Sequence, residues 1–192
     1  MTDAEIEAMQ DAMEPASAYD MSHDDEVVVK RTLAAIVDNE PGVLARVVGL
    51  FSARGYNIES LTVAEVDRGH HMSRITIVTS GTNHILEQIE AQLLRLVPVA
   101  RVIDITNSPA GIERELALVK VRGVGDKRVE ALRLSEIFRC NVIDTTSESF
   151  VFEITGASSK IDQFIELMVP LGLVEVSRTG VLSLQRGSEP GA

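Results

Sequence analysis

From Arg31 onward the chain repeats one pattern: strand, helix, strand, strand, helix, strand, and then the same order again. In the first half, Arg31-Thr-Leu-Ala-Ala-Ile-Val37 reads as a buried strand. Asp38-Asn39-Glu40-Pro41-Gly42 follows. Proline suits the first turn of a helix, where a missing N–H costs nothing, and Asp or Asn just before it is a capping type. The next stretch places Val43, Leu44, Val47, Val48 and Phe51 on one helical face, and Gly55 is a typical stop. Ile58–Val66 and Met72–Ser80 read as strands of a hairpin turning at Asp67-Arg68-Gly69-His70. Thr82 caps a second helix carrying Ile85, Leu86, Ile89, Leu93 and Leu96. Val99–Thr106 is the last strand of this half.

Asn107-Ser-Pro-Ala-Gly111 has linker composition. Beyond it, Glu115–Val121 is a strand and 126–139 a helix with Val129, Leu132 and Phe138 toward a core. Asn141–Thr145 and Ser149–Thr155 are paired strands. Ser158–Val169 is a helix burying Ile161, Phe164, Ile165 and Met168, and Val174–Leu184 is one final strand region. Connection rules for such units favour an antiparallel four-stranded sheet with both helices on one face. The expected fold is therefore α+β: two tandem ferredoxin-like βαββαβ domains. The expected boundaries are 27–106 and 113–187, a linker at 107–112 and a fraying tail at 188–192.

Residues 1–26 contribute nine acidic side chains and no Lys or Arg, so a net charge of −11 leaves only −2 for the rest. Such a leader cannot bury enough apolar surface to offset its ordering entropy, and it reads as disordered. It has neither the apolar block of a secretory signal nor the basic residues of a transit peptide. The near-neutral body lacks the clustered cations that phosphate binding needs, so nucleic acid is not an expected partner. No apolar run approaches the roughly 20 residues of a membrane span. A single cysteine, Cys140, makes no internal disulfide and fits a reducing, cytoplasmic setting.

Few residues point to chemistry. His70-His71 lacks a surrounding cluster of metal ligands, and neighbours on a strand face opposite ways, so a solvated hairpin tip is expected. His23 and His84 are read as solvated. Gly123-Val-Gly125-Asp-Lys127 lacks the spacing of a phosphate loop and reads as a turn before a helix. Cys140 has no evident base to activate it. Phe150 and Phe152 alternate as stacking aromatics of an RNA-binding sheet would, yet no basic patch accompanies them, and core is expected. Asn39 to Gly42 opens a helix, where free N–H groups and the dipole favour an anion, and Gly42 lets a carboxylate approach the backbone. On spacing alone, a plain helix cap outweighs that reading. Asn57 by itself reads as a turn residue after Gly55-Tyr56.

The loop 38–42 followed by an apolar helix resembles the ligand loop of ACT domains, which bind small amino acids. The longer run Gly42-Val-Leu-Ala-Arg-Val-Val-Gly-Leu-Phe-Ser-Ala-Arg-Gly-Tyr-Asn-Ile-Glu-Ser-Leu-Thr-Val-Ala64 resembles the signature of acetolactate synthase small subunits. So do Ser73-Arg-Ile-Thr-Ile77, Leu86-Glu-Gln-Ile-Glu-Ala-Gln-Leu93, Arg114-Glu-Leu-Ala-Leu-Val-Lys120, Ile137-Phe-Arg139, Asn141-Val-Ile-Asp144 and Glu175-Val-Ser-Arg-Thr-Gly180. The likeness spans Arg31 to Gly187 and loosens at the His70-His71 tip.

The resemblance implies that the first domain is an ACT domain and that two such domains pair as a homodimer with L-valine at their interface. Asn39, Pro41, Gly42 and Asn57 would line that site, with Val43, Leu44 and Ile58 as neighbours. It also implies a non-catalytic regulatory subunit. Its partner, a separate catalytic subunit carrying thiamine diphosphate, FAD and magnesium, condenses pyruvate with pyruvate or 2-oxobutyrate in valine, isoleucine and leucine biosynthesis. The small subunit, with no cofactor of its own, would activate that partner and confer feedback inhibition by valine. The alternatives are a free-standing ACT-type amino-acid sensor and, more remotely, a small enzyme of ferredoxin-like fold such as an acylphosphatase.

Overall fold

A computed structural model describes residues 27–107 and 111–187. The acidic leader, three residues of the linker and the tail after Gly187 lie outside the described residues. The elements are β1 Val29–Asp38, α1 Val43–Arg54, β2 Ser60–Asp67, β3 Met72–Gly81, α2 Asn83–Leu93 and β4 Val99–Asp104 in the first half. The second half has β5 Gly111–Arg122, α3 Asp126–Ile137, β6 Asn141–Thr145, β7 Ser149–Gly156, α4 Ser158–Gly172, β8 Leu173–Arg178 and β9 Leu182–Gln185.

The first sheet has the order β2-β3-β1-β4 with antiparallel pairing throughout. Residues alternate across the pleat, so Leu33, Ala35, Val37, Ile75 and Ile77 turn to one face. There they meet Val43, Val47 and Phe51 of α1 and Leu86, Ile89 and Leu93 of α2 in one core. Both helices thus cover one face, as the strand–helix pattern predicts.

The caps differ in kind. Thr82 accepts from the Ile85 N–H at 3.4 Å, the N-cap read from sequence. At the end of α1, Gly55 takes a left-handed conformation, its N–H reaching Ser52 O and that of Tyr56 reaching Phe51 O. These are the two bonds of a Schellman motif. The matching apolar contact is an edge-on packing of the Phe51 and Tyr56 rings, 6.2 Å apart.

The second sheet repeats the order as β6-β7-β5-β8. Its core joins Ala117, Val119 and Val121 to Phe150, Phe152 and Ile154, under Ile161, Phe164 and Met168 of α4. Phe150 and Phe152 are therefore core residues, with Phe164 edge-on to Phe152 at 6.0 Å. Gly123-Val-Gly125 forms the expected turn, and Gly125, at positive φ, opens α3.

Three expectations need correction. Val129 is 67% exposed, because α3 turns Ala131, Leu134 and Ser135 inward, with Leu132 and Phe138 only partly buried. The final strand region is two strands, since Gly180 at φ +82° breaks the extended chain. The resulting β9 pairs with residues 111–114 of β5, which begins four residues before Glu115.

The two halves touch along a seam. On the first sheet's face away from the helices, the register sets out rows: Ser60–Val78–Thr32, then Thr62–Thr76–Ala34–Ile103, then Ala64–Arg74–Ile36–Arg101. Thr179–Val181 of the second half lies against the first two rows at β2. The Val181 N–H donates to Ser60 Oγ at 2.9 Å, and Thr62 Oγ1 donates to Thr179 O at 3.4 Å. A Cβ on Gly180 would lie 2.7 Å from Ser60 Oγ, so only glycine lets this approach occur.

Candidate effector site

The loop between β1 and α1 is built almost wholly from backbone. The Asn39 N–H donates to His71 O at 2.7 Å and the Glu40 N–H to Asp38 O at 2.9 Å, which anchors the loop to the β2–β3 hairpin. Gly42, at φ +89° and ψ −4°, is the N-cap of α1, and no side chain caps the helix. This departs from the sequence reading: Asp38 and Asn39 do not cap, and Pro41 lies one residue before the cap. A left-handed turn at Gly42 delivers the chain into the helix, a conformation that costs a non-glycine residue about 1–2 kcal/mol.

The consequence is an open helix terminus. The amides of Leu44 and Ala45 have no intrahelical acceptor, by helix geometry. Nothing lies within 4 Å of where a Gly42 Cβ would stand. Asn39, Glu40, Pro41 and Gly42 are all exposed, while Val43 is buried beneath them. Leu44 was expected in the core but is 38% exposed, beside the open amides. The Glu40 carboxylate is held to Arg46 at 2.8 Å. The terminus can accept an anion, and Leu44 offers an apolar surface next to it.

Asn57 and Ile58 sit elsewhere. They follow Gly55, past the other end of α1. A helix of 12 residues spans about 18 Å at 1.5 Å per residue. Asn57 is exposed, and its carbonyl accepts from Thr79 Oγ1 at 2.6 Å. Ile58 is half-buried against the core. A single chain therefore does not bring Asn57 to the loop 39–42. Between these two ends runs β2, an edge strand with Val63 and Val66 exposed.

The sequence did not flag the cleft of about 420 Å³ at the seam between the halves. Its charges are paired. Lys30 and Glu59 meet at 2.6 Å, and the bond from Lys30, with a second from Ser80, holds the Glu59 carboxyl below the usual range. Arg178 grips Glu115 through Nε and Nη2, each at 2.6 Å, and reaches Asp162 through Nη1, also at 2.6 Å. These bonds raise the Arg178 pKa further. Glu115 was legible as a strand residue, but nothing local shows that its partner stands 63 residues away.

The other candidates resolve simply. His70 Nδ1 lies 2.8 Å from Asp67 Oδ2 at an exposed turn, and His71 takes φ +52° there. Burial pushes the Cys140 thiol up to about 11, away from nucleophile chemistry. Among the described residues, no group of three or more His, Cys, Asp or Glu could hold a metal ion, and no helix is long and apolar enough to cross a membrane.

Two family models match. Residues 33–101 match an AHAS small subunit-like ACT domain, and residues 114–187 match the small subunit of acetolactate synthase. The chain is 44% identical to a probable acetolactate synthase small subunit from Archaeoglobus fulgidus, over 84% of this chain and 99% of that one. It is 46% identical to the acetolactate synthase isozyme 3 small subunit of Escherichia coli, over 84% and 98%. The crystal structure of the acetolactate synthase small subunit from Thermotoga maritima superposes with a TM-score of 0.75 at 40% identity, covering 84% of this chain and 99% of that one.

Proposed function

Because the chain belongs to the acetolactate synthase small-subunit family, we propose that it is a non-catalytic regulatory subunit that binds a separate catalytic subunit in the cytoplasm, raises its activity and makes it sensitive to L-valine. The observation that carries the valine part is the uncapped terminus of α1. It presents free amides, a glycine with no side chain in the way, and Leu44 alongside. A carboxylate suits the helix N-terminus, and a branched aliphatic side chain suits the apolar wall.

Two ACT domains pair about a two-fold axis in this reading. An isologous contact sets residue i of one protomer against residue j of the other. That supplies what one protomer lacks: the partner subunit's Asn57 beside the Asn39–Gly42 loop, with Pro41, Val43 and Ile58 completing the walls. The exposed edge of β2, with Val63 and Val66, supports a contact on this side.

Valine then favours one arrangement of the ACT pair, and the catalytic subunit senses that arrangement through its contact surface. Energetic reciprocity follows: whatever factor valine takes from the active assembly, the active assembly takes from valine binding. The catalytic subunit carries the thiamine diphosphate, FAD and magnesium and performs the condensation of pyruvate with pyruvate or 2-oxobutyrate.

The test is acetolactate formation by the same organism's catalytic subunit, with and without this chain, each with and without L-valine. A rate raised by the chain and then lowered by valine is expected. A cofactor-loaded catalytic subunit whose rate ignores the chain refutes the assignment and leaves a free-standing amino-acid sensor.

A further inference from the structure

The third row on the open face of the first sheet places two arginines on either side of one apolar residue. Ile36 of β1 pairs with Arg74 of β3 on one side and with Arg101 of β4 on the other. All three are half-buried. Arg74 Nε and Nη2 are buried without a hydrogen-bond partner among the described residues. The ion pairs of the described residues engage Arg31, Arg46, Arg68, Arg122, Arg133 and Arg178, and neither Arg74 nor Arg101 is among them. Burial, and then the charge of Arg101, make the Arg74 cation harder to hold.

Burying guanidinium donors unpaired is expensive, and so is setting two like charges on one face. A fold carries that cost where something else completes the site. The same face is already an interface at its other end, where Thr179–Val181 covers Ser60 and Thr62. The arginine row continues that seam onto half-exposed surface. A second copy meeting this row across a two-fold axis at Ile36 would oppose four guanidinium groups, so the same face of another copy is not its occupant. What fits is a surface with carboxylates for Arg101 and for the accessible part of Arg74, and an apolar side chain for Ile36. Arginine beside a buried apolar anchor is the composition of an interface hot spot.

We propose that Ala64, Arg74, Ile36 and Arg101 form the docking surface for an acidic element of the catalytic subunit. This rests on the reading of the chain as a partner of that subunit.

The experiment measures binding of full-length wild-type, Arg74→Gln, Arg101→Gln and Arg68→Gln chains to the same organism's catalytic subunit. Sedimentation of each chain alone and calorimetric titration with L-valine accompany it. Arg101 stands on an edge strand, where substitution leaves the sheet intact even if Arg74→Gln does not fold. The affinity of Arg74→Gln and Arg101→Gln for the catalytic subunit is expected to fall at least tenfold, with self-association and L-valine binding unchanged. Arg68→Gln, which removes the same charge from the hairpin tip, binds as wild type.

Unchanged affinity of the Arg101 variant overturns the proposal. So does an equal loss with Arg68→Gln, which makes the effect one of overall charge. So does loss of self-association, which makes the face a contact between copies. If the wild-type chain itself fails to bind, the functional reading falls and not merely this surface.

Discussion

Gly42→Asp separates the fold from the ligand site. Its cost to the fold is small. The left-handed conformation at φ +89° strains a non-glycine residue by about 1 kcal/mol, at the low end for Asp, which tolerates this region. A carboxylate at a helix N-terminus returns about 0.3–1 kcal/mol. With nothing within 4 Å of the new Cβ, no clash is added. The net change in stability is therefore within about 1 kcal/mol. The cost to valine is larger, since its carboxylate meets a like charge. At about 4 Å, two such charges repel by about 1 kcal/mol in water and about 4 kcal/mol at an effective dielectric near 20. A half-enclosed interface lies between these limits, so valine binding is expected to weaken at least about fivefold. Gly42→Ala carries the strain without the charge and is the control.

The assay pairs calorimetric titration of L-valine with urea unfolding followed by circular dichroism, the chain having no tryptophan. The Asp variant should remain folded, still activate the catalytic subunit and ignore valine, while the Ala variant stays near wild type. Undiminished valine binding by the Asp variant refutes the site. Equal losses in Ala and Asp refute the charge argument.

Other outcomes follow from the second half. Arg178→Met strands the Glu115 carboxylate, which is 5% exposed. Breaking a buried pair costs about 3–5 kcal/mol, and the one-third exposure of the Arg178 side chain reduces that to about 2 kcal/mol. Adding Glu115→Leu should recover most of it in urea unfolding, and a single variant within about 0.5 kcal/mol of wild type contradicts the pairing. Cys140, with its thiol pushed up from 9.0 to about 11, should alkylate about 100-fold more slowly at mildly alkaline pH than in the urea-unfolded chain. Equal rates before and after unfolding overturn that environment.

Local chemistry was legible in the sequence. Periodicity gave both helices of each half, Thr82 gave its cap and Gly55 its Schellman turn, because each depends on neighbours within a few residues. What failed was non-local. Gly180 could be seen as a glycine, but its break in the last strand follows from the close approach to Ser60, and β9 from pairing with Gly111–Arg114. Val129 was assigned to the core because an apolar residue on a helix is usually inward, while the face used is set by α4 and the sheet. The loop 39–42 was legible as a helix start, though its cap was misplaced by the proline. That Asn57 stands a helix length from the loop follows from the helix the sequence already places between them, whereas that Arg74 and Arg101 flank Ile36 emerges only from the sheet register.

The seam between Ser60 and Val181 also has a history in time. The two residues are 121 positions apart; once Asp104 ends β4 and the first sheet is complete, a ribosome adding roughly 5–20 residues per second needs about 4–15 s more to reach Val181. The first half can complete its own sheet long before its cover exists. For those seconds Val78, Thr76 and Ala34 line a face whose covering segment has not been made. Nascent chains on neighbouring ribosomes could meet there first. A message truncated just before Thr179 would leave that exposure permanent while removing, among the described strands, only β9.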